Sequence, residues 1–549
     1  MLNKKALFFF INLLFWAIIF AFSGCANIQK PQGGPRDVTP PVLLKASPPD
    51  MTRHFASKTI RLDFDEFFKL TNQFTEITIS PAQDKQPDYK IKEKSLIITL
   101  KDTLQKNTTY VINFGKAIAD VNEGNVLKNF TYVFSTGEHI DSLSVSGTVT
   151  NTLTQQKEKD VTVMLFPADK DTAYYRKKRP SIYATTDTSG NFSLNNLPEG
   201  KFTIYALKEA TVNRIYDNEV ELIAFLKKPI SLYTDTSGIQ LNLFKEDPVK
   251  FRLLERKFDQ DGKILFIFNK RLNNPSLKII YPPGLDDQKL VEFSKTNDTA
   301  HLYSKNMDFD SISVAILDND KPLDSVSLNK GRKEKFTRSL SFGFNINGQS
   351  GKLNPFGNLI ITATSPIDTF DPSLIFMKED STDINNFTIT RDSTNARRFI
   401  LKYRWKQDAG SYLLTINDEA FTNIYGEKNK KFVKKFQIEK EENYSSLTLK
   451  VHVPDPTKAY VIELFQDVKN ILSRNSFTKD TTIVFKNFYA GKYYVRVIYD
   501  DNHNGKWDTG NVKEKRQPEN IWIDPQQLTL RPNWEDEEKL NIPQETLEP

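Results

Sequence analysis

The residues whose types and spacing could do chemistry lie near the C-terminus, between Asp500 and Asn511. Counted from Asp500, oxygen-bearing side chains fall at positions 1, 3, 5 and 9, and glycine stands at position 6. A calcium-binding loop has this pattern, because alternate oxygen ligands converge on one ion while glycine permits the sharp turn. The sequence therefore predicts a calcium site. Its candidate ligands are Asp500, Asn502, Asn504, Lys506 and Asp508.

The same stretch is also typical of a β-hairpin loop. Asn511 stands at position 12, where a calcium loop has a bidentate Glu. The residues from Tyr493 to Tyr499 predict a strand, not the helix that precedes such a calcium loop. In this second interpretation the Asp and Asn side chains bond their own backbone. The sequence leaves both interpretations open.

An earlier copy of this loop lies upstream at a constant offset of 291 in residue number. The aligned pairs are Glu209 with Asp500, Thr211 with Asn502, Asn213 with Asn504, Arg214 with Gly505, and Tyr216-Asp217 with Trp507-Asp508. Because the earlier copy has lost the glycine and has a positive charge at Arg214, we expect metal only in the later copy. The aromatic residue that both copies retain is better explained by packing, with Trp507 or Tyr216 closing one end of a domain.

Other catalytic chemistry has little support in the sequence. The acidic residues Asp63, Asp65 and Glu66 follow an alternation with Leu62 and Phe64, which predicts a solvated strand face and not a catalytic pair of carboxylates. The five histidines never have the spacing of metal ligands. The sequence also contains no nucleophile elbow, phosphate loop or dinucleotide fingerprint.

The N-terminus predicts export and attachment to a membrane. Two lysines precede an apolar run from Ala6 to Phe22, and two small residues then lead into Cys25. This pattern resembles a bacterial lipoprotein signal. The resemblance implies that residues 1–24 are a cleaved signal peptide and that the sulfur of Cys25 carries lipid. The alternative is an uncleaved anchor, although the run is shorter than the ~20 residues of a spanning helix.

Composition limits the remaining classes of function. The chain has 549 residues and a formal net charge of +6, of which Lys4 and Lys5 of the signal supply two. The charges are interspersed, so no nucleic-acid partner is implied. The length suggests several domains of about 100 residues. Because Cys25 is the only cysteine, disulfides, thiol catalysis and cysteine metal sites are excluded, and hydrophobic cores must stabilise the domains.

Periodicity predicts an all-β fold. Residues 25–41 are rich in Pro and Gly and predict an extended tether. Beyond them apolar and polar residues alternate, as at Ile60, Leu62 and Phe64, and similar alternation over 161–165 and 202–206 predicts half-buried strands. No amphipathic helix of three turns is convincing. The chain is therefore interpreted as a series of β-sandwiches.

Two internal repeats define two types of sandwich, which we call A and B. They predict the order A, B, A-like, A, B along the chain. At a constant offset of 302 in residue number, Tyr110, Gly124, Phe130 and Phe134 match Tyr412, Gly426, Phe432 and Phe436. At the offset of 291, the strand that follows Gly200 matches the strand that follows Gly491. A weaker third copy of the A type begins at Lys263. The repeats predict that matched segments occupy equivalent strands.

A family resemblance extends this interpretation. The segment from GGPRDVTPP through TYVINFGKAIADVNEGN to FSTG resembles the SbsA-type bacterial Ig-like domain of Bacteroidetes lipoproteins. The segment from SVSGTVT through TTDTSGNFSLNNLPEGKFTIYALKE resembles a prealbumin-like, carboxypeptidase-regulatory-type β-sandwich. The resemblance implies an architecture and an envelope location, and it carries no catalytic site. The expected domains are 42–138 (Ig-like), 141–245 (prealbumin-like), 246–340 (a sandwich, candidate Ig-like), 341–440 (Ig-like repeat) and 441–549 (prealbumin-like repeat).

We therefore expect a lipid-anchored, non-catalytic binding or scaffolding protein at the outer membrane, on its periplasmic or surface face, with a protein partner in the envelope. The first alternative is a glycan-binding surface lipoprotein of a nutrient-uptake system, which exposed Trp and Tyr at a sandwich edge would favour. The second is a hydrolase with a site between domains. The only cofactor expected is Ca²⁺ in the 500–511 loop.

Overall fold

A computed structural model describes residues 37–170, 176–218, 220–331, 336–346, 351–467 and 470–545. Within these ranges the protein is all-β, which confirms the predicted fold class. The described residues form 42 strands, one α-helical turn, α1 (Gln73–Glu76), and the 3₁₀ turns Asp286–Gln288, Pro372–Leu374 and Glu441–Asn443. None of the described helices has the length and apolar character to span a bilayer. The signal peptide, Cys25 and the tether up to residue 36 lie outside the described residues.

The chain divides into two compact units. Unit 1 contains the described residues up to Leu143 and the segments Ser181–Thr185 and Asn195–Glu199. Unit 2 contains residues 144–180, 186–194 and the described residues from Gly200 onward.

The first sandwich lies in unit 1. Its strands are β1 (Leu43–Ser47), β2 (Thr59–Phe64), β3 (Phe68–Leu70), β4 (Thr78–Ser80), β5 (Asp88–Lys92), β6 (Ser95–Thr99), β7 (Thr109–Asn113), β8 (Ile118–Asp120) and β9 (Thr131–Ser135). The sheets have the orders β1-β2-β6-β5 and β4-β7-β9, and β3 pairs with β8. Ile60, Leu62 and Phe64 of β2 are buried while Arg61 is exposed, so the predicted alternation directs one face to the core.

The second sandwich has a different strand topology from the first. Its strands are β10 (Leu143–Asn151), β11 (Thr162–Pro167), β12 (Ile182–Thr185), β13 (Asn191–Leu197), β14 (Gly200–Lys208), β15 (Leu222–Phe225), β16 (Ile230–Leu232) and β17 (Thr236–Leu243). Within unit 2, β14 pairs with β11, β15 and β16. The strands β10 and β17 run parallel, whereas the described strand pairs of the first sandwich are antiparallel.

The third sandwich repeats the topology of the first. Its strands are β18 (Leu253–Phe258), β19 (Ile264–Phe268), β20 (Pro275–Tyr281), β21 (Lys289–Phe293), β22 (Thr299–Ser304), β23 (Ser311–Asp318) and β24 (Lys321–Asn329). The orders β18-β19-β22-β21 and β20-β23-β24 correspond to β1-β2-β6-β5 and β4-β7-β9. In the described part of this sandwich, no strand pair corresponds to β3 and β8.

The fourth sandwich has the same arrangement and includes that pair. Its strands are β25 (Phe342–Phe344), β26 (Leu359–Ala363), β27 (Ile367–Phe370), β28 (Ile375–Glu379), β29 (Thr382–Ile384), β30 (Thr388–Arg391), β31 (Arg398–Lys402), β32 (Tyr412–Ile416), β33 (Phe421–Asn423) and β34 (Phe432–Phe436). The sheets are β25-β26-β31-β30, β29-β28-β32-β34 and β27-β33. Among the described strands, the short β29 is an addition to the pattern of the first sandwich.

The larger of the two repeat offsets links equivalent positions in the first and fourth sandwiches. Tyr110 lies opposite Phe134, and Tyr412 lies opposite Phe436. The rings of each pair stack, at 5.3 Å and 5.6 Å between centroids. Each tyrosine hydroxyl accepts a hydrogen bond from an upstream backbone amide, that of Gln105 or Lys406. A buried tyrosine thus fixes the same corner in both sandwiches.

The fifth sandwich repeats the topology of the second. Its strands are β35 (Tyr444–His452), β36 (Ala459–Asp467), β37 (Asn470–Phe477), β38 (Thr481–Tyr489), β39 (Gly491–Asp500), β40 (Ile521–Ile523), β41 (Leu528–Leu530) and β42 (Glu535–Asn541). The strand β39 pairs with β36, β40 and β41, while β35 and β42 run parallel. Gly200 and Gly491 therefore begin equivalent central strands. The domain boundaries themselves stay predictions.

The prediction of half-buried strands is wrong for β11 and β14. Every residue of β11 from Thr162 to Phe166 is buried, and so is every residue of β14 from Phe202 to Leu207. Side chains on successive strand residues point to opposite faces, so both faces of this sheet are covered. Part of the cover comes from the fifth sandwich, whose Lys515 contacts Tyr205.

Candidate functional site

The loop that follows β39 is organised around the carboxylate of Asp500. This residue is 2 % exposed. Its Oδ1 accepts a hydrogen bond from the amide of Asn504 at 3.1 Å, and its Oδ2 accepts one from the amide of Gly505 at 2.8 Å. Gly505 has a φ of 75°, which glycine adopts without steric cost. Asp500 therefore closes the turn from inside, as the hairpin interpretation requires.

The structure brings the other four candidate ligands to the same loop. The Nδ2 atoms of Asn502 and Asn504 both donate to Oδ2 of Asp508. The Oδ1 atom of Asn504 accepts a hydrogen bond from the amide of Lys506 at 3.0 Å. The Nζ atom of Lys506 lies 3.9 Å from Oδ1 of Asp508. In this arrangement the two asparagines direct nitrogen, not oxygen, towards the aspartate.

Calcium takes six to eight oxygen ligands, so binding here requires the amide groups of Asn502 and Asn504 to turn. Within the described ranges, no group of three or more His, Cys, Asp or Glu side chains is arranged to hold a metal. The calcium site stays a prediction. The geometry adds a condition to it, because the hydrogen bonds to Asp508 must be exchanged for the ion.

The earlier loop has the same network although it lacks the glycine. The Oε1 atom of Glu209 accepts hydrogen bonds from the amides of Asn213 and Arg214, at 2.8 Å and 3.0 Å. The Nδ2 atom of Asn213 donates to Oδ2 of Asp217 at 3.0 Å. Arg214 adopts a φ of 60°, close to that of Gly505. Each of these bonds has its counterpart in the later loop at the aligned residues.

A second carboxylate, from a glutamate, completes each loop, and the sequence comparison missed it. Glu519 accepts hydrogen bonds from the amides of Asp501 and Asp508, at 3.0 Å and 2.9 Å. Glu221 accepts from two amides of the earlier loop, at 3.3 Å each. Burial, and then the charges of Asp508 and Asp500, raise the pKa of Glu519 to about 7. The fixed offset could not align the two glutamates, because the later loop is seven residues longer between its last aspartate and its glutamate.

The additional length forms a docking segment, Thr509–Pro518, that packs on the second sandwich. The amide of Val512 donates to Oε1 of Glu246 at 2.7 Å. The other carboxylate oxygen of Glu246 accepts from the hydroxyl of Tyr216 at 2.6 Å. Glu246 therefore bonds both the docking segment and the earlier loop, which places the two related loops in one network.

Lys515 and Gln517 hold the middle of the docking segment. The Nζ atom of Lys515 donates to the hydroxyl of Tyr205 at 3.0 Å. The same ammonium lies 5.2 Å from the ring centroid of Tyr205 and 5.6 Å from that of Phe225, within the range of cation–π attraction. The Nε2 atom of Gln517 donates to the carbonyl oxygen of Phe225 at 2.6 Å.

Gly510 permits the closest approach in this interface. A Cβ atom at this position would lie 2.6 Å from Cζ of Phe244 and 2.9 Å from the carbonyl oxygen of Arg516. The neighbouring hydroxyl of Thr509 donates to the carbonyl oxygen of Lys245. Glycine is required here because the aromatic ring occupies the space of a side chain, not because of an unusual φ.

A buried ion pair extends the interface from β39. The Nε atom of Arg496 donates to Oε2 of Glu463 at 2.7 Å, and both residues are at most 5 % exposed. The Nη1 atom of Arg496 donates to the carbonyl oxygen of Leu153 in the second sandwich, at 3.2 Å. Arg474 also donates to Glu463 at 2.8 Å. Removal of one partner would leave a buried charge, which is strongly destabilising.

The acidic residues of the first sandwich have structural partners. The Oδ1 atom of Asp63 accepts from Oγ of Ser95 at 2.6 Å and from Nε of Arg61 at 2.8 Å. These hydrogen bonds lower the pKa of Asp63, that from Ser95 most. Asp65 is exposed and accepts from the amide of Val42 at 2.8 Å. The lipidation of Cys25 stays a prediction, because that residue lies outside the described ranges.

Residues 37–136 match the family of bacterial Ig-like domains named Big_5. The first sandwich is therefore similar to bacterial Ig-like domains. No curated protein matches the sequence. The bacterial Ig-like assignment thus covers one of five sandwiches, and the third and fourth share its sheet topology.

Several solved structures match this chain at low sequence identity and with low TM-scores. The major pilin subunit of Bacillus cereus is 10 % identical, with a TM-score of 0.12 over 73 % of this chain and 99 % of the pilin. The TIE protein of Bacillus anthracis is 11 % identical, with a TM-score of 0.14 over 93 % and 75 %. Domains 4–9 of the surface layer protein SbsC are 10 % identical, with a TM-score of 0.19 over 83 % and 66 %. Scores this low carry no argument about function.

Proposed function

We propose that this protein is a lipid-anchored, non-catalytic scaffolding module of the bacterial cell envelope, held at the outer membrane through Cys25. The bacterial Ig-like domain supports a structural, non-enzymatic role. The lipoprotein signal, the origin in a Bacteroidetes-type bacterium and the prealbumin-like assignment of the second and fifth sandwiches belong to the same proposal. The signal and the origin rest on the sequence resemblance, and the prealbumin-like assignment rests on the resemblance together with the shared parallel pairing of β10 with β17 and of β35 with β42.

The contact between the fifth and second sandwiches carries the proposal. A string of independent binding domains needs no such contact, since tandem domains move freely unless a specific interface restrains them. Here the docking segment inserts Lys515 between two aromatic rings and places Gly510 directly against Phe244. The interface holds the fifth sandwich against the second, and a scaffold for a protein partner requires such a fixed arrangement of domains.

A glycan-binding surface lipoprotein is the second candidate. Trp534, Tyr233 and Tyr281 are 54 %, 59 % and 53 % exposed, and flat exposed rings suit the apolar faces of sugars. The guanidinium of Arg531 already covers Trp534 at 4.9 Å from its centroid, which leaves that ring with less free surface. A hydrolase is not proposed, because Asp63 is hydrogen-bonded to Ser95 and Arg61 and Asp65 to the amide of Val42.

Affinity purification of the lipidated protein from detergent-solubilised membranes tests the proposal. We expect an envelope protein to co-purify in near-stoichiometric amounts with the wild type and with Gly343→Ala, whose new Cβ atom would meet no atom closer than 3.8 Å. Gly510→Ala should reduce the recovery of that partner. Recovery of glycan without protein would favour the second candidate, and recovery of neither would contradict both.

A further inference from the structure

A cleft of about 630 Å³ lies between the third and fourth sandwiches, far in sequence from the docking segment. Its walls come from the hairpin that joins β18 to β19, from Thr337–Ser339 before β25, and from turns next to β27 and β33. The volume is in the range of sites for small molecules. Most of the lining is polar or charged, with Phe258 and Tyr425 as aromatic residues.

The cleft is preformed because an ion pair joins the two sandwiches. Nε and Nη2 of Arg397 donate to the two carboxylate oxygens of Glu292, at 2.7 Å each. The Nδ2 atom of Asn395 donates to the same carboxylate at 2.9 Å. A bidentate guanidinium pair fixes orientation as well as distance. The two walls of the cleft are therefore held at a defined separation.

Arg338 differs from the lysines that line the cleft. Lys257 pairs with Glu255 at 2.6 Å, and Lys263 lies 3.3 Å from Asp261. The Nε atom of Arg338 donates to the backbone oxygen of Asp261, at 3.1 Å. Among the described residues, no acidic side chain forms an ion pair with this guanidinium, whose carbon lies 3.8 Å from the ring centroid of Tyr425. Stacking holds the guanidinium plane and leaves its Nη groups as donors.

Tyr425, which also lines the cleft, carries a second candidate donor. Its hydroxyl oxygen is buried and has no hydrogen-bond partner within the described structure. Burial raises the pKa of Tyr425 to about 12, so the hydroxyl keeps its proton and can donate. An unpaired buried hydroxyl is costly in a folded protein, and such groups are expected to meet water or a ligand.

We infer that this cleft binds a small polar ligand through an oxyanion, a carboxylate or a phosphate, held by the guanidinium of Arg338 and the hydroxyl of Tyr425. Two donors on side chains that contact each other, one of them charged, match an acceptor with two oxygens. The hydroxyls of Ser339, Thr364 and Ser365 also line the cleft and suit the polar body of such a ligand. This site is independent of the proposed scaffolding function.

Titration calorimetry of the mature chain with three related probes tests the inference. Glucuronate carries a carboxylate, glucose 6-phosphate carries a phosphate, and glucose carries neither. We expect at least one charged probe to bind, and to bind more tightly than glucose. Arg338→Gln should weaken that binding by roughly tenfold or more, as for a lost charge-assisted pair. Tyr425→Phe should weaken it less and leave the melting temperature unchanged or higher, because the hydroxyl has no partner among the described residues.

Arg391→Gln is the matched control in the fourth sandwich. The guanidinium of Arg391 also lies over a ring, 5.7 Å from the centroid of Phe399, and donates to a backbone oxygen, that of Asp368. This variant should bind the charged probe like the wild type. Equal binding of all three probes, no binding of either charged probe at millimolar concentration, or unchanged affinity in Arg338→Gln would overturn the inference. Preference for glucuronate or for glucose 6-phosphate identifies the oxyanion.

Discussion

The carboxylates of Glu209 and Asp500 occupy equivalent positions in the two related loops, and each accepts hydrogen bonds from the amides four and five residues ahead. The second of those amides belongs to Arg214 in one loop and to Gly505 in the other. Since the same turn forms with arginine and with glycine at this position, the capping carboxylate and the bridging asparagine define the loop. The spacing of oxygen side chains that predicts calcium binding is thus also the spacing that forms the hydrogen bonds of this turn.

Calcium binding in the later loop can be tested by comparing the stability of the protein with and without calcium. A loop with four oxygen side chains and a weak twelfth position should bind with a Kd of ~10⁻⁴ to 10⁻³ M. Calcium at several millimolar should then stabilise the fifth sandwich by only ~1 kcal/mol, by mass action. Asp508→Asn should abolish that increment. Calorimetry of the mature chain with calcium and with chelator measures it.

The absolute stability of this variant is not the criterion, because Asp508 also accepts hydrogen bonds from two asparagines. Asp217→Asn in the earlier loop is the matched control and should leave the calcium increment intact. A melting profile that is identical with and without calcium in the wild type would contradict the calcium site. Only the hairpin interpretation would then remain.

The docking segment should detach when Gly510 gains a side chain. Gly510→Ala places a methyl group 2.6 Å from the ring of Phe244, and overpacking of this kind typically costs ~1–3 kcal/mol. Hydrogen exchange at the amide of Val512 reports the contact directly, because this amide is bonded to Glu246. We expect faster exchange over 509–518 in Gly510→Ala and wild-type exchange in Gly343→Ala. Equal protection in both variants would show that the segment does not depend on this contact.

Acidification should tighten the loop around Glu519. Its pKa in the folded protein, about 7, lies above the ordinary value of 4.5 because of burial. A carboxyl group with a raised folded pKa contributes stability that is fully present below the unfolded value and is lost as the pH rises through about 7. Hydrogen exchange of the 500–519 loop, after correction for the intrinsic exchange rates at each pH, should therefore be slower at pH 5.5 than at pH 8.

Glu519→Gln removes the titrating group and should flatten this pH dependence. The exposed residue Glu535 offers a control, because Glu535→Gln should retain the wild-type profile. A wild-type loop whose exchange, corrected for intrinsic rates, does not change between the two pH values would contradict the assignment of the transition to Glu519.

The corner tyrosines of the first and fourth sandwiches should have similar effects on stability. Tyr110→Phe and Tyr412→Phe each remove the acceptor of one backbone amide in a part-buried hydrogen bond, which should cost ~1 kcal/mol. The double variant should show the sum of the two losses, because the residues lie in separate sandwiches. Chemical denaturation measures these effects. Tyr233→Phe, at a residue 59 % exposed, should change little, and a comparable loss there would refute the corner role.

Cys25→Ser should release the protein from membranes or leave its precursor unprocessed, because Cys25 is the only thiol that can accept the lipid. Metabolic labelling with a fatty acid and membrane fractionation provide the measurement. Normal labelling and fractionation of the serine variant would refute the lipoprotein interpretation.

The sequence by itself determined the all-β fold class and the repeated strands. The alternation of apolar and polar residues predicted the strands of the first sandwich. Successive side chains of a strand point to opposite faces, so a sheet with one solvated face has a sequence period of two. The two constant offsets matched Tyr110 with Tyr412 and Gly200 with Gly491, because equivalent strands keep equivalent core residues. All of these signals are local, or are comparisons of local segments.

The tertiary structure alone decided what covers the outer faces of those sheets. The strands β11 and β14 are buried on both sides, and no local pattern states that Lys515 packs on the distant Tyr205. Glu519 belongs to the hydrogen-bond network of the loop because the chain returns to the loop after the docking segment. The additional length of this segment breaks the constant offset. The cleft at Arg338 and Tyr425 likewise exists only between two folded sandwiches. Contacts between distant parts of a chain depend on surface complementarity, which a single sequence does not encode as a periodic signal.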